Sequence, residues 1–231
     1  MAKKDQVAKT GDTSITKEGV PAGFEHFDES DLIIPRLGIV QPSSRNGTPG
    51  TFRSNLTSEE WKEMRITPFT YRKGMVYWKD GEELGDPICR SRDALTPDSK
   101  VDKPQNPTCH TRTDGRLLPT CPRATWPEGD GKPDCAMTFD FLAMGEGDKP
   151  FMISLRGMSV RSAKALISHV WHMRQNFYDV SCRMYLTKTE NRKGVFYVVG
   201  FGDFTSHESG KYESAYKAIC APRGEKGETP F

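Results

Sequence analysis

No stretch of the chain is apolar for long enough to cross a bilayer, and its opening residues, MAKKDQVAKTGDTSITKEG, contain no hydrophobic segment of the kind that directs secretion. Charge of one sign is also lacking. Lys and Arg number 33 against 31 Asp and Glu, so net charge selects no partner and any basic surface must be local. Hydrophobic residues make up only 35%, while Gly (21) and Pro (16) are frequent, which implies long loops around one compact centre. There is no HExxH, no HxE…PCxxC, no paired CxxC knuckle and no internal repeat. These absences argue against a zinc hydrolase or deaminase and lead to the expectation of a non-enzymatic protein, without membrane contact, kept in a reducing cytoplasm.

What is present reads as three parts. Residues 1–22 are polar and aperiodic, the expectation being a disordered N-terminal arm. Residues 23–204 hold a β-rich core with a cysteine-bearing insertion at about 80–135. Residues 205–231 read as a short helix, SGKYESAYKAI, and a flexible tail. In the core, DLIIPRLGIV supplies the first apolar surface, with Pro35 limiting it to short extended pieces or an edge strand. SNLTSEEWKEM predicts a short helix capped at Thr57 or Ser58. ITPFTYRKGMVYWKD predicts a strand pair or one bulged strand.

CAMTFDFLAM and PFMISLRG then predict a hairpin, and CRMYLTK with VFYVVGFGDF a second one across the tip TENRKG. Between the hairpins, Ser159 to Phe177 predicts the one long helix. Its buried face would carry Val160, Ala163, Ile167, Val170, Trp171 and Phe177, with Ser159 at the N-cap. The fold class expected is α+β, mainly β: an OB-like antiparallel barrel with one major helix and a zinc-stabilised loop.

Four cysteines, Cys89, Cys109, Cys121 and Cys135, fall in a turn-rich segment with almost nothing apolar to bury them, spaced C-x19-C-x11-C-x13-C. Free cysteine is usually a small buried hydrophobe. In a reducing compartment, four thiols among Pro, Gly, Asp and Thr instead suit a tetrahedral structural Zn²⁺, closed to catalysis because all four positions are thiolate. His110 is the alternative to Cys109 as a ligand. Cys182 and Cys220 lie in apolar strand or helix patterns and read as core or surface thiols.

Two segments interleave aromatic rings with cations, as a sequence-tolerant binder of single strands requires for stacking and phosphate contact. One carries Phe69, Tyr71, Arg72, Lys73, Tyr77 and Trp78. The other carries Arg183, Tyr185, Lys188, Arg192, Lys193, Phe196 and Tyr197. Aromatic residues also favour strands for packing reasons alone.

The order DLIIPRLGIVQPSS, ICRSRD, TCPRATW, PDC, FMISLRGMSVRSAKALI and YLTKTENRKGVFYVV resembles a family of phage-encoded single-stranded DNA-binding and replication proteins, over most of residues 28–200. The chain departs from that family in the wide gap between its second and third cysteines. The resemblance implies DNA replication or recombination in the cytoplasm of a bacterial host. The last two residues, Pro230 and Phe231, resemble the tip with which bacterial single-stranded DNA-binding proteins hold replication and recombination partners, although this tail is far less acidic. A homo-oligomer is compatible with either feature. The alternative reading is a phage structural or decoration protein stapled by zinc, and a third is a zinc-dependent nuclease or recombinase.

Overall fold

The computed structural model describes residues 33–78, 87–98, 106–129, 131–192, 194–207 and 210–220. Contacts divide the chain at Ile33, and every element below belongs to the unit Ile34–Phe231. The arm at 1–22, Lys193, Pro230 and Phe231 lie outside the described residues.

The described residues are mainly β, with two α-helices. The strands are β1 (Arg36–Ile39), β2 (Phe52–Ser54), β3 (Glu60–Trp61), β4 (Glu63–Tyr77), β5 (Cys89–Ser91), β6 (His110–Thr113), β7 (Arg116–Pro119), β8 (Ala136–Met144), β9 (Pro150–Arg156), β10 (Val180–Asn191) and β11 (Gly194–Ser206). The helices are α1 (Ser159–Met173) and α2 (Glu213–Cys220). One curled, half-barrel sheet takes the order β11-β10-β4-β8-β9-β1-β2-β3, with β5 added beside β4, while β6 and β7 form a separate ribbon. No helix among the described residues is long and apolar enough to cross a membrane.

The long strand β4 makes the curl. Its first part pairs with β10 and its remainder with β8 and β5, with an irregularity between Pro68 and Thr70 where proline cannot donate to the ladder. A single bent strand thus replaces a strand pair. Both expected hairpins form, β8 with β9 and β10 with β11, because strict alternation puts Phe139, Phe141, Ile153, Leu155 and Met184 on one face. Helix α1 packs on that face through Ala163, Leu166 and Val170.

Five local expectations are corrected. The SNLTSEEWKEM segment forms no helix: the Ser54 hydroxyl accepts the N–H groups of Leu56 and Thr57, a turn that hands the chain to β3. Strand β1 is no edge, since it lies parallel to β9 and antiparallel to β2. The helix α1 ends at Met173, where Arg174 turns left-handed (φ 53°), so Phe177 falls in a following 3₁₀ turn. Ser159 does not cap that helix; its hydroxyl accepts the Val199 N–H instead. Trp171, expected on the buried face, is 78% exposed, and Leu166 holds the interior position.

Between β11 and the β1 side of the sheet, side chains take the place of a ladder. The Gln41 amide donates to the Tyr197 carbonyl (2.9 Å) and its oxygen accepts the Tyr197 N–H (2.8 Å), and Ser159 holds Val199 in the same way. Along this seam the curl stays partly open.

Candidate nucleic-acid interface and cysteine cluster

The sheet face turned away from α1 carries the second half of each alternation. Arg72 stands opposite Asp140, which stands opposite Ser154; one step on, Gly74, Thr138 and Arg156 make a second row. Above these rows opens a cleft of about 750 Å³, bordered by β1, β5 and β11. Five arginines line it, Arg36, Arg72, Arg90, Arg92 and Arg156, against one lining carboxylate, Asp140. Gly74 is required where β5 closes in: a Cβ there would sit 2.8 Å from both the Ser91 carbonyl and the Thr138 hydroxyl.

The cations converge closely enough to act on one another. Burial lowers the Arg72 pKa, the Asp140 carboxylate 3.3 Å away works against that, and the charges of Arg92 and Arg36 lower it further. Asp98 pairs with both Arg90 (2.8 Å) and Arg92 (3.2 Å). Three aromatic residues line the cleft: Trp78, with the Arg156 guanidinium 4.5 Å from its ring centre, and, across the seam, Phe196 and Tyr197, the Tyr197 ring lying against Gly50. A concave surface with excess guanidinium charge and several rings is chemically suited to a polyanion with flat bases.

The expected binding residues thus separate. Arg72, Trp78, Phe196 and Tyr197 come together in the cleft. Phe69 does not; it is 2% exposed and packs against Tyr212 and Tyr216 of the α2 region, leaving no face for a base. Tyr71 is enclosed by Phe139, Phe141 and Phe177 on the α1 face. Lys73 points the same way, its ammonium 5.8 Å from the Phe139 ring centre. Tyr77 packs on the cysteine cluster beneath Arg123.

Arg183 sits on the outer face of β10, held by Asp203 (2.6 Å) and Glu63 (3.0 Å) and stacked on Tyr185, whose ring covers Gly200. Two carboxylates already answer that guanidinium. Lys188 and Arg192 are exposed near the β10–β11 tip and do not line the cleft, although Lys188 pairs with Tyr197 across the ladder. Arg36, Arg90, Arg92 and Arg156 were not among the expected residues. Only the C-R-S-R alternation of Cys89–Arg92 signalled two of them, since period two puts Arg90 and Arg92 on one face.

The four cysteines of the insertion come together on the opposite side of β4. Cys109, Cys121 and Cys135 share a small interior with Met75, Ala94 and Ala124, and Cys89 joins from β5, opposite Tyr77. Backbone bonds fix the loops: Cys121 N–H to the Cys109 carbonyl (3.1 Å), Cys135 N–H to the Arg123 carbonyl (2.8 Å) and Cys109 N–H to the Leu95 carbonyl (2.7 Å). Burial is the main cause that pushes Cys109 up to about 11 and Cys135 up to about 12; Cys89 and Cys121 raise both further, and Cys109 also raises Cys135. Cys109 belongs to this thiol group, and the adjacent His110 is buried with its Nδ1 2.9 Å from the Ala94 carbonyl oxygen. Among the described residues, no three Cys, His, Asp or Glu side chains already have the arrangement of a metal site. The donor set is nonetheless all soft thiol in a dry pocket, which fits a thiophilic cation better than a hard one.

Cys182 is fully buried in the main core and Cys220 packs beside Phe69. Comparison with known protein families, with curated proteins and with solved structures finds no match for this chain.

Proposed function

We propose that the protein is a non-enzymatic, sequence-tolerant single-stranded DNA-binding protein of phage replication or recombination, with its strand lying in the arginine cleft. The observation that carries this reading is the convergence of five arginines with Trp78, Phe196 and Tyr197 on one open surface. The guanidinium groups would follow the phosphates and the rings would take the bases, each stacked base contributing about 1–3 kcal/mol.

The fold supports the same reading at a finer level. The spatial order β11-β10-β4-β8-β9, with α1 leading from β9 to β10, supports reading the half-barrel as an OB-like barrel left open at one seam. OB folds bind oligonucleotides on the face of their second and third strands and with the loops after the first and fourth. Those positions correspond here to β8–β9, to the cysteine region and to the β10–β11 tip. Cys89, Cys109, Cys121 and Cys135 would hold a structural Zn²⁺, which stabilises thiolates and replaces the apolar interior that the segment lacks.

Titration of the zinc-loaded protein with oligothymidine, read by tryptophan quenching and in parallel by anisotropy, tests the reading. Saturable binding that weakens linearly on a log–log salt plot is expected. Absence of binding by both readouts at low salt overturns it, and assembly into large symmetric particles without DNA would put the structural-protein reading first.

A further inference from the structure

The cleft and the cysteine cluster share strand β5, whose alternation divides it between them. Cys89 and Ser91 are buried, paired across the ladder with Tyr77 and Met75, and Cys89 faces the other thiols. Arg90 and Arg92 line the cleft. Asp98 holds both guanidinium groups and its own N–H donates to the Arg90 carbonyl (2.8 Å), so the two cations and the following loop form one unit.

That unit is anchored in the cluster. Ala94 is fully buried among the thiols, and the Leu95 carbonyl takes the Cys109 N–H. Strand β5 itself has only three residues and, among the described residues, pairs with β4 alone, so little ladder holds it in place. Arg36, Arg72 and Arg156 stand instead on β1, β4 and β9, strands that each pair with a neighbour on either side.

We infer that metal occupancy of the four thiols and single-strand binding in the cleft are thermodynamically linked through β5. Arg90 and Arg92 are the metal-dependent phosphate contacts, and Arg36, Arg72 and Arg156 the metal-independent ones. The linkage rests on the reading of the cleft as a single-stranded DNA site. Because binding linkage is reciprocal, DNA must hold the metal by the same factor by which the metal favours DNA.

The test compares zinc-loaded full-length protein with protein stripped by a chelator under reducing conditions, each titrated with oligothymidine over a range of salt. Stripping is expected to weaken binding and to reduce the salt slope by about 1.4, or about 0.7 for each of two lost phosphate contacts on a single strand. The double variant R90A/R92A is expected to take up zinc normally, to show the reduced slope when loaded, and to lose the difference between loaded and stripped forms. In the reciprocal arm, oligothymidine slows zinc transfer to a chromophoric chelator from the unsubstituted protein but not from R90A/R92A.

Equal affinity and slope with and without zinc overturn the linkage, as does a chain that takes up no zinc or a double variant that keeps the full metal effect. Failure of the loaded protein to bind oligothymidine at all is a different result, since it removes the cleft reading first. Should stripping unfold the sheet as well, the zinc-transfer arm decides alone, and equal transfer with and without oligothymidine overturns the linkage.

Discussion

Under α1 the sheet buries Phe139, Phe141, Ile153 and Leu155, all at or below 1% exposure, whereas the interior of the cysteine region offers Met75, Ala94, Ala124 and thiols. Both interiors hang on β4, one towards its middle and one at its end. The first removes large apolar areas from water, at roughly 25 cal/mol per Å². The second has too little apolar area to order its loops by burial, since each ordered backbone residue costs about 1–2 kcal/mol. One region is therefore held by packing, while the other gathers soft donors that a cation would join.

The largest effect expected from this contrast is on Phe141→Ala, which should destabilise the protein by about 3–5 kcal/mol in urea unfolding. Leu117→Ala, in the half-buried margin of the cysteine cluster, should cost well under that. Equal costs would show that the two interiors do not differ. Next, chelation under reducing conditions should expose amides of β5, β6 and β7 to rapid hydrogen exchange while those of β8, β9 and β10 stay protected. Uniform loss of protection across both regions would mean that one cooperative unit spans them.

A smaller effect separates two rings seven residues apart, Tyr71 on β4 and Trp78 just past its end. Trp78→Ala should weaken oligothymidine binding by about 1–3 kcal/mol with little change in stability. Tyr71→Ala, a ring enclosed by Phe139, Phe141 and Phe177, should do the reverse. Anisotropy titrations beside unfolding curves would reveal either departure.

The smallest effect concerns His207, whose Nε2 lies 2.9 Å from the Thr67 hydroxyl. Burial, followed by the charges of Lys211 and Arg65, lowers its pKa below the usual 6.5, against a weaker pull from Asp179. The folded state thus resists protonation more than the unfolded chain. Stability from this site is present above about pH 6.5 and declines as pH falls through the lowered folded value. His207→Gln should flatten that part of the stability profile, and an unchanged profile would remove His207 from the account.

Much of the β framework was legible because its signal is local. The hairpins of β8–β9 and β10–β11 follow from period-two alternation, and α1 from a 3.6-residue apolar period. The same local signal misled at SNLTSEEWKEM, where a serine hydroxyl took backbone donors that a helix would have used. It misled again at Trp171, which periodicity assigned to the interior although its neighbour Val170 takes the core position and Trp171 stays exposed.

The candidate site was legible only in part. Aromatic and basic interleaving picked out β4 and β11, which both line the cleft, yet Phe69, Tyr71 and Tyr77 looked the same in sequence as Trp78. Which face of β4 meets α1, and where the cysteine region takes over, depends on partners distant in the chain. Four cysteines without a hydrophobic setting could be read as a group from their composition, and the fold does bring them together.

The sequence by itself determined the elements whose information is periodic: two hairpins, one amphipathic helix, and a thiol-rich segment unable to bury itself. The tertiary structure alone decided that Arg36, Arg72, Arg90, Arg92 and Arg156, contributed by β1, β4, β9 and the β5 segment, share one cleft. The physical reason is that alternation fixes only that neighbouring side chains point to opposite faces. Which face becomes the core and which becomes a surface is settled when the sheet curls and α1 covers one of them.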